Sequence, residues 1–153
     1  MNYKQNKGIT IIALIITIII MLILATVTIE FGTGEIKRAK LEDLKTTMLL
    51  IKGRAQIVAD KEEFGEDYDS TGMLKLSEAT DYNTANLQSI FSDIDTSNLY
   101  IWNQTAMDNN SIDVEITKED FFVVDYETGE VYYSLGFTYE DNIYYSLTEL
   151  QNV

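Results

Sequence analysis

The stretch Ile9-Thr10-Ile11-Ile12-Ala13-Leu14-Ile15-Ile16-Thr17-Ile18-Ile19-Ile20-Met21-Leu22-Ile23-Leu24-Ala25-Thr26-Val27-Thr28-Ile29 decides how the chain is organised. Its 21 residues include ten Ile and hold no charge, no Gly and no Pro. At about 1.5 Å per residue such a helix is about 31 Å long, and the hydrocarbon core of a bilayer is about 30 Å thick. Each centrally placed Ile or Leu favours insertion by about 0.3–0.6 kcal/mol, so the run as a whole favours lipid strongly. A helix apolar on every side needs cover on every side, which a small domain does not supply. The run also exceeds the roughly 7–15 apolar residues of a secretory signal, and no A-x-A cleavage site follows it. A retained, single membrane span over 9–29 is the expectation.

Working outward, residues 1–8 form a short basic leader carrying Lys4 and Lys7 and ending in Gly8. On the other side, Gly32 and Gly34 predict a bend or a brief unwinding where the helix leaves the bilayer, since each Gly costs a helix about 1 kcal/mol relative to Ala. Apolar positions then recur at Leu41, Leu44, Met48, Ile51, Ala55 and Val58. Those steps of three and four predict an amphipathic helix over the segment 30–61, with one face laid on a sheet. Lys40, Asp43, Lys45, Thr47, Lys52 and Arg54 are then expected to face water or neighbouring subunits. The remaining residues, 62–153, read as an acidic α+β head.

Charge is segregated along the chain. Up to Lys61 nine Lys or Arg stand against five acids, a net of +4, whereas from Glu62 onward two stand against twenty, a net of −18. Such a head repels phosphate backbones, so it is not expected to bind nucleic acid. The 153 residues contain no Cys, no His and no Pro. Disulfides, the usual zinc sites, thiol nucleophiles and Ser-His-Asp triads are therefore excluded. No catalytic residue, metal site or cofactor is expected. Asp93-Ile94-Asp95 has the alternate spacing of a calcium loop, but Asn98 and Gln104 stand where that loop needs Gly and Glu.

Strand signals come late in the chain. Asn98–Trp102, Phe121–Asp125 and Val131–Ser134 are rich in aromatic and β-branched residues. Tyr126-Glu127-Thr128-Gly129 supplies a hairpin turn with Gly where positive φ is commonly needed. A second turn at Glu140-Asp141-Asn142 leads to Ile143-Tyr144-Tyr145, and Ser146 to Glu149 matches a capping box. Short helical turns are expected near 76–78 and 86–91, and a loop over 62–70. Tyr132, Tyr133, Tyr139, Tyr144 and Tyr145 read as sheet packing rather than a sugar platform.

Lys7-Gly8-Ile9 directly before the apolar helix resembles the processing signal of type IV prepilins and pseudopilins. The run Ala39–Ile51 is similar to the polar half of a pilin N-terminal helix, and the Val124–Val131 hairpin to one in pilin-like proteins of Gram-positive bacteria. The resemblance implies a pilin-like fold, α+β, with a long N-terminal helix packed on a small C-terminal antiparallel sheet. It implies cleavage after Gly8 by a membrane-embedded prepilin peptidase, usually with methylation of the new amine on Ile9. It also implies that Ile9, Ile12, Ala13, Ile16, Ile20, Ile23 and Val27 serve membrane anchoring and assembly. The implied partners are membrane lipid, the peptidase and other pilin-like subunits in a filament.

One departure concerns Ala13, which stands where pilins usually carry a Glu that neutralises a neighbour's N-terminal amine. That leaves a minor or tip-proximal subunit, a filament that solves the contact otherwise, or an anchored protein that never polymerises. Lys4 and Lys7 before the span and Lys37, Arg38, Lys40 and Lys45 after it leave the charge rule for orientation balanced. The short leader and the resemblance place the N-terminus in the cytoplasm and the head outside. The competing reading is a non-polymerising, single-pass membrane-anchored binding module.

Overall fold

The computed structural model describes residues 6–153 and, within that range, the side chains of 11–24 and 33–153. A single helix, α1, runs Asn6–Glu63. Of the bend or unwinding expected at Gly32 and Gly34, the unwinding does not occur, because both residues are helical. The cost of two glycines is small beside the hydrogen bonds that continuous helix on either side would lose.

By its internal contacts the chain divides into two compact units, between Lys40 and Leu41. In the first unit, Ile11 to Leu24 are exposed all around the helix. Among the described residues no helix is long and apolar enough to cross a membrane. Of the run 9–29, the described side chains are those of 11–24, which rise about 21 Å along a helix axis. The side chains of Ile9, Thr10 and 25–29, Val27 among them, lie outside the described residues.

The second unit is α+β. Its sheet has five antiparallel strands in sequential order: β1 Met73–Lys75, β2 Leu99–Trp102, β3 Phe122–Asp125, β4 Val131–Tyr139 and β5 Asn142–Ser146. Short helices α2 Gln88–Phe91 and α3 Gln104–Asn109 lie in the connections, and α4 Leu147–Gln151 follows β5. Alternation along the strands sends side chains to two cores. On one face Trp102, Phe122, Val124 and Val131 pack with Leu41, Met48, Ile51 and Ala55 of α1. On the other, Leu99, Ile101, Val123 and Tyr132 pack with Leu87 and Phe91. The helical stripe read from the sequence is therefore the stripe that seals the sheet. Met48 and Ile51 are fully buried, and each contributes about 1.5–3 kcal/mol by leaving water.

The expected loops, turns and strands largely form as read. Gly129 sits at φ 70° in the hairpin turn, and the buried Asp125 carboxylate accepts from Glu127 N at 2.9 Å and Thr128 Oγ1 at 2.7 Å. Ser146 and Glu149 make the capping box reciprocally at the start of α4. The tyrosines pack as expected: Tyr132 meets Phe91 edge-on at 5.2 Å, and Tyr133 stacks on Phe122 at 5.1 Å. Two elements go beyond the sequence reading. Strand β1 is three residues long, held by pairing Met73 to Trp102 and Lys75 to Tyr100. Helix α3 is capped by Asn103, whose side chain accepts from Ala106 N at 3.2 Å. In the segment with the alternate Asp spacing, Asp95 caps a turn by accepting from Ser97 N at 2.9 Å.

Candidate functional site

Lys7, Gly8 and Ile9 belong to the first turns of α1, and the side chains of Lys7 and Ile9 lie outside the described residues. Of the expected assembly residues, Ile12, Ala13, Ile16, Ile20 and Ile23 are all exposed. Ile12 keeps 60% of its surface and Ile16 50%. No element of their own unit covers them. Thr17 Oγ1 donates to the Ala13 carbonyl at 2.8 Å, so the hydroxyl is satisfied within the helix and adds little cost in lipid or against another helix. Ala13 itself offers only a methyl group, and no carboxylate stands at that position.

The second unit carries an apolar surface that the sequence reading missed. Leu50 and Ile57 keep 53% and 48% of their surface, and Phe64, just past the helix, keeps 77%. Thr46, Leu50, Gly53 and Ile57 share one face of α1, because their spacings of four, three and four close whole helical turns. This face is opposite the Met48–Ile51–Ala55–Val58 face, and Gly53 at its centre has open space where a Cβ would stand. The helix is thus apolar on two opposite sides, one spent on the sheet and one unspent. The signal was legible: a second set of three- and four-residue steps, offset from the first.

The polar flank of α1 departs from expectation in part. Asp43 and Arg54 are exposed, whereas Lys45, Thr47 and Lys52 are half-buried. Long Lys stems lie along apolar surface while their ammonium groups reach water. Lys45 pairs with Glu42 at 3.4 Å within the helix, while Arg54 has no ion pair among the described residues.

Burial pushes the Tyr132 and Tyr133 phenols up to about 12, with nearby carboxylates adding to the shift. Among the described residues no group of three or more His, Cys, Asp or Glu is placed to hold a metal ion. No protein-family model matches the chain, and no curated protein or solved structure matches it significantly.

Proposed function

We propose that the chain is a structural subunit, a pilin or minor pseudopilin, of a type IV pilus-like or type II secretion-like filament. In this reading a prepilin peptidase cuts after Gly8, residues 9–29 hold the subunit in the membrane, and the head stands outside the cell. Assembly then packs the N-terminal helix of each subunit against its neighbours. The observation that carries the reading is one uninterrupted helix, Asn6–Glu63, whose apolar residues 11–24 have no core of their own. An apolar surface of that kind calls for lipid, for other helices, or for each in turn.

The second apolar face, at Leu50, Gly53 and Ile57, supports assembly over simple anchoring. An anchored monomer gains nothing from exposed Leu and Ile beside an unfilled Gly on the head's side of the helix. A subunit in a filament does, because a bare glycine lets a neighbouring backbone approach closely. The β-branched Ile and Thr of the apolar run offer a stiff, ridged surface for the same packing.

Ala13 favours a minor or tip-proximal position, or a filament that neutralises the amine by another contact. An ammonium left unpaired among apolar helices costs several kcal/mol. The alternative, a membrane-anchored binding module, makes no demand for contact between copies. Intact mass and N-terminal sequencing of the protein from its native membrane test the proposal. A chain beginning at Ile9 with a methylated amine is the expected result. A chain that retains Met1 to Gly8 sinks the processing step and favours the anchored module.

A further inference from the structure

We propose that a cleft in the head, between the end of α1, strand β1 and strand β2, binds organic ammonium cations. The cleft has a volume of about 370 Å³ and is walled by Tyr68, Tyr100 and Tyr126 with Glu62, Glu78 and Lys75. A shallower extension shares Glu62 and Tyr126 and adds Glu63 and Glu127. Its main volume falls within the usual range of small-ligand sites, about 300–1,000 Å³.

Three features select the ligand class. First, three tyrosines line the cleft. Tyr100 and Tyr126 meet edge-to-face at 5.1 Å. The Tyr126 hydroxyl is already occupied, accepting from Trp102 Nε1 at 3.1 Å and donating to Met73 Sδ at 3.4 Å. Second, the charge is negative: Glu62 and Glu78 outnumber Lys75 in the cleft, and the extension adds two more carboxylates. That charge disfavours phosphate and carboxylate ligands. Third, the carboxylates are not grouped as metal ligands among the described residues, so a compact divalent ion lacks its donor set. Aromatic faces beside a carboxylate suit a diffuse organic cation, which is attracted by the ring quadrupole and neutralised by the acid.

The head builds the same combination once from its own side chains. Lys118 Nζ lies 3.9 Å from the Tyr82 ring centroid and 3.8 Å from Asp81. In the cleft, the rings and carboxylates are present and Lys75 stands at the wall as a competing charge. Burial and the nearby Glu62 both raise the Tyr68 phenol above its ordinary value, so it stays neutral over the whole physiological range. This inference concerns the head alone and stands or falls separately from filament assembly.

The test uses the full chain in a non-ionic polyoxyethylene detergent, titrated with choline chloride or n-butylammonium chloride against NaCl at equal ionic strength. Trp102 is the single Trp and hydrogen-bonds Tyr126, so its fluorescence reports on the cleft wall. A saturable change with an organic cation, absent with NaCl, is expected. Tyr100→Leu and Glu62→Gln should each weaken binding about tenfold, with the circular dichroism spectrum unchanged. Glu62 is exposed, so its variant reads binding even where Tyr100→Leu perturbs the strand. Lys75→Gln should tighten binding several-fold. Preference for choline assigns a methylated ammonium, and preference for butylammonium a primary amine such as a lysine side chain. A response that does not saturate, equals that of NaCl, survives Glu62→Gln, or is matched by neutral methyl glucoside overturns the proposal.

Discussion

Changing Leu50 and Ile57 to Asp together separates the two apolar faces of α1. Both side chains are about half exposed in the isolated head, so covering them in a filament removes roughly half a side chain of apolar surface at each. Full burial of a Leu or Ile is worth about 1.5–3 kcal/mol, which gives about 1 kcal/mol each. Phe64, just past the end of α1 and 77% exposed, adds about 2 kcal/mol more where the contact reaches it. A contact that uses all three thus gains about 4 kcal/mol, close to a thousandfold in association. The double variant loses the Leu and Ile shares and also buries two carboxylates, so assembly should fall by at least that factor. Exposed substitutions of this kind leave the subunit's own stability within about 0.5 kcal/mol per site. Thermal unfolding by circular dichroism checks the second statement, and sedimentation with electron microscopy of membrane-derived filaments checks the first. Ile51→Asp serves as the contrast, since Ile51 is fully buried against the sheet and its replacement should unfold the head. Filaments of normal length and number from the double variant would refute the assignment of this face to assembly.

Other perturbations probe the head. Gly72 lies at φ +85°, and a Cβ there would stand 2.6 Å from Ala106 N and against the Asn103 side chain that caps α3. Gly72→Ala should therefore cost about 2–4 kcal/mol, read as a lower urea midpoint with an unchanged slope. Asp125→Ala removes the acceptor for Glu127 N and Thr128 Oγ1 inside the hairpin turn and should cost about 1–3 kcal/mol in the same assay. At alkaline pH the sign follows from the phenols. Tyr132 and Tyr133 are held neutral to about 12 against a reference value of 10.0. Their stabilisation is complete below pH 10 and is lost as pH rises from 10 towards 12. Tyrosinate absorbance should lag behind that of free tyrosine and rise together with the loss of ellipticity. Tyrosines that all titrate near 10 while the fold persists would contradict this.

What the sequence determined by itself was whatever depends on neighbours along the chain. The apolar run 9–29, the stripe from Leu41 to Val58, the Gly129 turn and the Ser146–Glu149 capping box are local patterns. Each carries its periodicity or its hydrogen-bonding partner within a few residues, so each could be read directly. The absence of Cys and His likewise removed whole classes of chemistry without reference to any fold. Long-range pairing decided the rest. Met73–Lys75 becomes a strand only because β2 offers Trp102, Ile101 and Tyr100 as partners, and three residues carry no period of their own. Both cores depend on which face of the sheet α1 covers, and that choice leaves Leu50, Gly53 and Ile57 outside. The cleft gathers Glu62, Lys75, Tyr100 and Tyr126 from distant positions, and no spacing rule connects them. Burial and proximity across the sheet are properties of the folded chain, so only the tertiary structure could join these residues into a candidate site.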